Sequence, residues 1–167
     1  MTRRAARFVD RRSTIRKQLA EIDSIILLAG ETDELVARGY LEQFAVVRLS
    51  GFIESSVGHM VHGYLEENAA YRVRSFGKRQ TERLPSMSPE NLEQLVSSFD
   101  SDWAATLTEY LARDENRQTL SNLIGARHAL AHGSATNVSG SLLRQYHRVA
   151  ESIVQLLEDM FLPLKKA

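Results

Sequence analysis

Residues 123–133 read LIGARHALAHG, an apolar helical stretch that suddenly carries one arginine and two histidines before a glycine. At about 100° per residue, Arg127 falls in the middle of the apolar face rather than opposite it. Arginine is almost never fully buried without a partner. We therefore expect Arg127 either to pair with a carboxylate inside the fold or to line a cleft that admits an anion. The apolar face itself consists of Leu120, Leu123, Ile124, Leu130 and Ala131.

The two histidines of this stretch, His128 and His132, lie four residues apart and so share one flank of the predicted helix. Gly133 favours the left-handed conformation in which many helices end. Histidine can take or give a proton near neutral pH, and a guanidinium can hold a phosphate through two hydrogen bonds. An alternative is a metal site at the two histidines, although no third ligand is evident and no glutamate follows His128 as in metalloprotease helices.

Residues 127–133, RHALAHG, resemble the Arg-polar-x-x-x-His signature of the HEPN superfamily of all-helical ribonucleases and nucleotide-binding domains. The second position of that signature is usually a small polar residue or histidine, and His128 fits it. An isolated Arg-x4-His pattern matches many proteins by chance. Here it lies between two predicted helices and is followed by glycine, which makes the signal more specific.

The resemblance extends beyond the signature to the RiboL-PSP type of HEPN domain. It includes the lead-in TLSNLI at residues 119–124, NVS at residues 137–139 and a helix that begins near Ser141. A weaker match covers VVRLSGFIE at residues 46–54, on an earlier helix. Together these segments span most of residues 40–162.

This resemblance implies a metal-independent endoribonuclease without a cofactor. His132 would move a proton at the 2′-hydroxyl or at the 5′ leaving oxygen of RNA, and Arg127 would stabilise charge on the transition state. The product would be a 2′,3′-cyclic phosphate. His128 would play a supporting role by orienting the RNA or the neighbouring groups. HEPN ribonucleases generally pair two copies so that both motifs face one cleft, which implies a homodimer with a composite active site.

A role as a toxin or an antiviral-defence effector also follows from the resemblance, with a neutralising antitoxin or a defence-system component as partner. The alternative is a catalytically inactive HEPN-like module that binds nucleotides or a protein. In that case Arg127 is a structural ion, and His132 lies at a helix end where the helix dipole favours it. The two functions are distinguished by whether the protein cleaves RNA.

The composition indicates one domain, residues 1–167, because 167 residues with 43% hydrophobic content suffice for one core and not comfortably for two. The absence of cysteine excludes disulfides and thiolate chemistry. No secretory signal and no run of about 20 apolar residues is visible. We therefore expect a cytoplasmic protein that does not associate with membranes. Residues 1–9 are expected to be a frayed basic arm, and residues 163–167 a tail.

Positive charge is concentrated in two places although the formal net charge is zero. Residues 1–17 and 72–83 hold 12 of the 21 lysines and arginines. The second cluster falls in residues 71–89, which we interpret as the one sizeable loop. Basic and aromatic side chains together can grip phosphates and stack bases, although the same mixture also suits a solvated connection. The residues predicted to bind RNA are Arg72, Arg74, Lys78 and Arg79.

The apolar periodicity predicts an all-α, HEPN-like bundle of about five to six helices. The first helix is expected at residues 10–29, and residues 31–68 form one long helix or two in line. Ser88 and Pro89 favour a helix start, as does Asp100, and Asp114 or Asn116 is expected to cap the motif helix. The last helix carries an apolar seam for the bundle and for a dimer, formed by Leu142, Tyr146, Val149, Ile153, Leu156 and Met160.

Glu54 lies in a zone of small residues on the second helix, near Gly51 and Gly58. Glycine costs about 1 kcal/mol in a helix interior, so these two residues predict a kink or the close approach of another helix. Glu54 is the first candidate for the carboxylate partner of Arg127, and an exposed glutamate on an ordinary helix is the alternative. His59 and His62 follow three apart and would supply only half of a metal site.

Overall fold

Helical periodicity along the chain is matched by helices in the computed structural model, which describes residues 11–82, 84–134 and 136–163. These residues contain seven helices and no strand. The predicted all-α bundle is therefore confirmed, with one helix more than the five to six expected. The basic arm at residues 1–9, Arg83 and most of the predicted tail lie outside the described residues. In chain order the helices are α1 (Arg11–Glu31), α2 (Leu35–Asn68), α3 (Tyr71–Thr81), α4 (Pro89–Ser97), α5 (Ser101–Ala112), α6 (Asn116–Ala131) and α7 (Gly140–Phe161).

Helix α2 is one continuous helix of 34 residues, and α1, α3, α6 and α7 all pack against it. Its buried face includes Val46, Leu49, Ile53 and Met60. The expected close helix contact at Gly51 and Gly58 is not made within the described chain, because a methyl group added at either position would meet nothing within 4 Å. The closely approached glycine of α2 is instead Gly63, which lies against Arg11 and Leu162.

Residues 71–81 form helix α3, so the interpretation of residues 71–89 as a loop is wrong over most of its length. No residue of α3 is buried, which explains why its sequence lacks the apolar stripe of a core helix. The helix instead packs closely on the end of α2, where a methyl group at Gly77 would overlap the side chain of Leu65. That contact depends on two residues in different helices and could not be predicted from local periodicity.

The predicted helix starts at Ser88 and Asp100 are confirmed. Ser88 is the N-cap of α4, where its hydroxyl accepts a hydrogen bond from the backbone N–H of Asn91, and Pro89 follows at the first helical position. Asp100 caps α5 by accepting from the N–H groups of Asp102 and Trp103. These side chains satisfy helix N–H groups that have no partner within the helix.

The start of α6 differs from the prediction that Asp114 or Asn116 would cap it. The residue at the N-cap position is Glu115, and its side chain makes no capping hydrogen bond. Asp114 and Glu115 both adopt left-handed conformations, with φ of 51° and 60°. Asn116 is already helical, and its side chain amide donates to the backbone oxygen of Tyr110, at the end of α5. The tight turn between α5 and α6 therefore sets this helix start.

Helix α7 supplies a large part of the core, which draws on every helix except α3. Of the predicted seam, Tyr146, Val149, Ile153 and Met160 are buried within the chain, while Leu142 and Leu156 are partly buried against the same core. The seam is therefore used inside the bundle. At one end of the bundle, Phe161 joins a cluster of edge-to-face and tilted rings with Tyr64, Phe99 and Trp103, whose centroids lie 5.0–5.8 Å apart.

An ion pair ties the first turn of α1 to the end of α7. Arg12 Nη1 lies 3.1 Å from the Oε2 atom of Glu158, whose side chain is only 4% exposed. The same guanidinium donates to the backbone oxygens of Glu158 and Leu162, at 3.3 and 2.5 Å. A buried carboxylate is costly without its cation, so this pair is strongly coupled to folding.

We expect Arg12→Ala to lower the free energy of unfolding by about 3 to 5 kcal/mol, because the substitution leaves the Glu158 carboxylate buried without its cation. Urea denaturation followed by circular dichroism measures this loss. The matched control is Arg113→Ala, which removes an exposed one-turn pair with Glu109 and should cost about 0.5 kcal/mol or less. Equal losses in the two variants would contradict the role assigned to the buried pair.

Candidate active site at the end of helix α6

The end of α6 is set by Gly133, as the sequence predicts. Gly133 has φ of +73°, and its N–H donates to the backbone oxygen of Leu130. The N–H of Ser134 reaches back to the oxygen of Ala129 at 2.9 Å, which completes a Schellman motif. His132 is the C-cap residue, immediately before this turn. The turn therefore fixes the backbone that carries His132.

The three motif side chains occupy different environments at this helix end. Arg127 is half-buried, continuing the stripe of Leu120, Leu123 and Ile124, whereas His128 and His132 are exposed. Within the described residues, none of the three side chains takes part in a hydrogen bond or an ion pair. An unpaired, half-buried guanidinium next to two exposed imidazoles fits the second expectation for Arg127, a site open to an anion.

The predicted ion pair between Glu54 and Arg127 is absent from the described chain. Glu54 is half-buried on α2 and, like Arg127, has no ion pair there within 4 Å. Periodicity placed Arg127 on the apolar face of its helix, and a zone of small residues suggested Glu54. Neither pattern shows which side chains of two different helices meet.

The motif lies on an open surface, and none of the three best-defined cavities of the described chain is lined by Arg127, His128 or His132. No group of three or more histidine, aspartate or glutamate side chains there could hold a metal ion. The two motif histidines thus have no third protein ligand in the described part of the chain. Imidazole groups can transfer protons near neutral pH, and a guanidinium can bind an anion.

The family model described as RiboL-PSP-HEPN matches residues 7–162. The chain belongs to the RiboL-PSP-HEPN family. The predicted resemblance is therefore confirmed over nearly the whole length of the chain. No curated protein and no solved structure matches it. In the described part of this HEPN chain, no helix is both long and apolar enough to cross a membrane.

The residues predicted to bind RNA lie on α3, away from the motif of this HEPN domain. Arg72, Lys78 and Arg79 are exposed, while Arg74 is partly buried and donates to the backbone oxygen of Glu66. Helix α3 packs beside Leu65, whereas the loop after the motif is bound at Gln43. These two positions are roughly 33 Å apart along α2 at about 1.5 Å per residue. A bound strand would need to be long to touch both regions of one chain.

His59 and His62 lie near the same end of α2 and form no metal site with the described residues. His62 Nε2 is hydrogen-bonded to the Thr81 hydroxyl of α3. Burial, together with the nearby Arg11 and His62, lowers the pKa of His59. His62 therefore contributes to the packing between α2 and α3, whereas His59 lies near Arg11 of α1.

Sequence reasoning missed a second cluster of charged residues, on α7. Arg144, His147 and Arg148 line a cavity together with Asp23 of α1. The only sequence signal was the polar flank of an amphipathic helix, which is typical of any solvated surface. The opposing Asp23 is 124 positions away in the chain, so the cluster exists only in the fold.

We expect Gly133→Ala to destabilise the protein by about 1 to 2 kcal/mol, because φ of +73° places a β-carbon in the unfavourable left-handed region. Gly125→Ala on the same helix is the matched control. Gly125 is exposed with open space around it, so alanine there should stabilise by up to about 1 kcal/mol. Thermal unfolding of both variants tests this opposition, and destabilisation of similar size at the two sites would contradict it.

Proposed function

We propose that this protein is a metal-independent endoribonuclease of the HEPN type. The observation that carries the proposal is the half-buried Arg127, which has no partner in the described chain and lies on the same helix end as His128 and His132. Membership of the RiboL-PSP-HEPN family supports it. Because such an activity has to be restrained in a cell, the proposal includes a role as a toxin or defence effector with a neutralising partner.

The proposed reaction is transesterification within the RNA strand. The 2′-hydroxyl loses a proton and its oxygen forms a bond to phosphorus, while the bond to the 5′ oxygen breaks and that oxygen gains a proton. His132 moves one of these protons, and the Arg127 guanidinium balances the charge that grows on the phosphoryl oxygens. His128 orients the strand one helical turn away. The products are a 2′,3′-cyclic phosphate and a 5′-hydroxyl.

A second copy of the chain would complete the open site. An exposed apolar stripe runs along α2, formed by Val36, Tyr40, Phe44 and Val47, which are 42–69% exposed. Gln43, beside this stripe, donates to the backbone oxygen of Thr136 in the loop that follows the motif. Pairing through α2 would therefore bring two motifs close together. We propose this surface as the dimer interface in place of the predicted α7 seam, whose residues are buried or partly buried within the chain.

Glu54 lies on the same side of α2 as the stripe at about 100° per residue. Since it has no ion pair in its own described chain, we propose that it supports the site from the dimer interface. Its carboxylate would there face groups of the second copy. Gly51 and Gly58, with open space above them, would let the two helices approach closely.

The second candidate function is a HEPN-like module that binds nucleotides or a protein without cleaving RNA. The observation that favours it is the open surface around the motif, since the best-defined cavities lie elsewhere. Such a module gives saturable binding without turnover. The two candidates therefore differ in whether phosphodiester bonds are broken.

We expect the purified protein to cleave RNA in the presence of a chelator and to leave DNA intact, because DNA has no 2′-hydroxyl. His132→Ala should lose about 10²- to 10⁴-fold in rate, as is typical for general acid–base catalysis, and Arg127→Ala should lose a comparable amount. End-group analysis of the products, by 5′ phosphorylation and mass spectrometry, identifies the cyclic phosphate.

The control for charge loss is Arg113→Ala, which removes an exposed arginine outside the site and should cleave at the wild-type rate. Circular dichroism verifies that each variant is folded. A requirement for a divalent metal, products with 5′-phosphates, or full turnover by His132→Ala would each refute the mechanism. Binding without any turnover would favour the second candidate.

Pairing through the α2 stripe predicts that Tyr40→Glu combined with Phe44→Glu gives a monomer, since two charges on each copy would face an apolar partner. Multi-angle light scattering at micromolar concentration measures the mass. Cleavage should fall together with dimerisation if the active site is composite. Phe76→Glu is the matched control, because Phe76 is equally exposed but lies on α3. A wild-type monomer that cleaves RNA would overturn this proposal.

A further inference from the structure

The largest of the three best-defined cavities lies between α1 and α7, on a surface that the proposed mechanism does not use. It has a volume of about 480 Å³. Its walls carry Asp23 and Leu27 of α1, and Arg144, His147 and Arg148 of α7, with Ile26 as part of an apolar floor. We call this surface the α1–α7 groove. Its size is within the range of ligand-binding clefts in proteins.

A second cavity of about 230 Å³ extends the groove towards the motif loop. It shares Ile26 and Arg144 with the first cavity and reaches Glu42 of α2 and Gly140, the first residue of α7. The next residue of α2, Gln43, holds the backbone of Thr136 in the loop after the motif. The groove and the loop that follows the motif helix therefore contact two consecutive residues of α2, Glu42 and Gln43.

Two arginines supply positive charge to the groove. Arg144 and Arg148 are exposed and lie one helical turn apart, and neither takes part in a hydrogen bond or an ion pair in the described chain. The carboxylates that line the first cavity are directed at His147 instead. Asp23 Oδ1 lies 2.6 Å from its Nε2, and Glu151 Oε2 lies 4.0 Å from its Nδ1.

Asp23 and Glu151 thus face His147, and Glu42 of the second cavity forms no ion pair with Arg144 within 4 Å in the described chain, so both guanidiniums remain available for an external anion. A guanidinium presents a planar set of donors that matches a phosphate, and two of them one turn apart can hold an extended polyanion. Ile26 and Leu27 offer apolar contacts for sugars and bases beside the phosphates. The groove thus has the features of a site for a single-stranded nucleic acid backbone.

We propose that Arg144 and Arg148 bind phosphates of the RNA strand on the side of the cleaved bond that leaves the motif over the α6–α7 loop. The inference rests on the proposed ribonuclease function and adds a binding subsite to it. Arg144 and Arg148 contact the strand and take no part in proton transfer. The groove lies next to the motif loop, whereas the basic surface of α3 packs roughly 33 Å further along α2.

The test measures binding of a fluorescent 2′-O-methyl RNA oligonucleotide, whose blocked 2′-oxygens prevent cleavage, by anisotropy over a range of salt concentrations. For single strands, the slope of log K against log salt falls by about 0.7 for each phosphate contact that is lost. Arg144→Gln combined with Arg148→Gln should therefore reduce the slope by about 1.4. The same positions changed to lysine keep the charge and should retain most of the slope.

Cleavage kinetics on unmodified RNA give a second readout. The double glutamine variant should raise KM while kcat stays near the wild-type value, because the substituted side chains do not touch the reacting atoms. Arg113→Gln is the matched control, since it removes one exposed arginine outside the groove and should leave slope and KM unchanged. Thermal unfolding of every variant verifies the fold.

The outcomes separate this inference from the ribonuclease proposal. If the double glutamine variant cleaves RNA with an unchanged salt slope and KM, the proposed RNA-binding role of the groove is overturned and the ribonuclease proposal stands. The groove would then bind a different ligand, such as an acidic protein partner. Loss of slope in a protein that binds RNA without cleaving it supports the groove and refutes the nuclease. Absence of RNA binding by the wild-type protein overturns both.

Discussion

The fold depends on one packing constraint: α2 has to serve as a neighbour for four other helices along a single 34-residue length. Aliphatic side chains such as Leu49 and Ile53 fill its core face, and Arg48 pairs with Glu21 on the side of α1. What remains is a narrow face that no described part of the chain covers. That face carries the exposed Tyr40 and Phe44, so this apolar surface results from the way the core residues of α2 face its four neighbours.

Local chemistry explains which elements could be predicted from the sequence. Ser88 and Asp100 cap their helices with their own side chains, and Gly133 ends α6 through its own backbone conformation. None of these features depends on distant residues. Helix α3 escaped prediction because none of its residues is buried and its close packing at Gly77 is against Leu65 of another helix. The start of α6 escaped prediction as well, because Asp114 and Glu115 adopt left-handed conformations and Glu115, at the N-cap position, makes no capping hydrogen bond.

The same distinction between local features and contacts of distant residues applies to the candidate site. The period of α6 was enough to place Arg127 on the half-buried face, and the family signature singled out His132. Whether Arg127 meets Glu54 depends on how α2 and α6 pack, which local periodicity does not give. The α1–α7 groove was harder still to predict, because Asp23 and His147 are 124 positions apart in the chain. Sequence patterns thus identified candidate residues, while the tertiary fold decided which charged groups remain unpaired in the described chain.

The ring cluster at one end of the bundle has a practical consequence. Trp103 is the single tryptophan of the protein, and it contacts Tyr64 of α2 and Phe161 of α7. Its emission therefore reports on a junction of three helices. Gln43, near the motif loop, is roughly 32 Å from Tyr64 along α2. The molecule thus contains an intrinsic fluorophore at the end of the bundle that is remote from the motif loop.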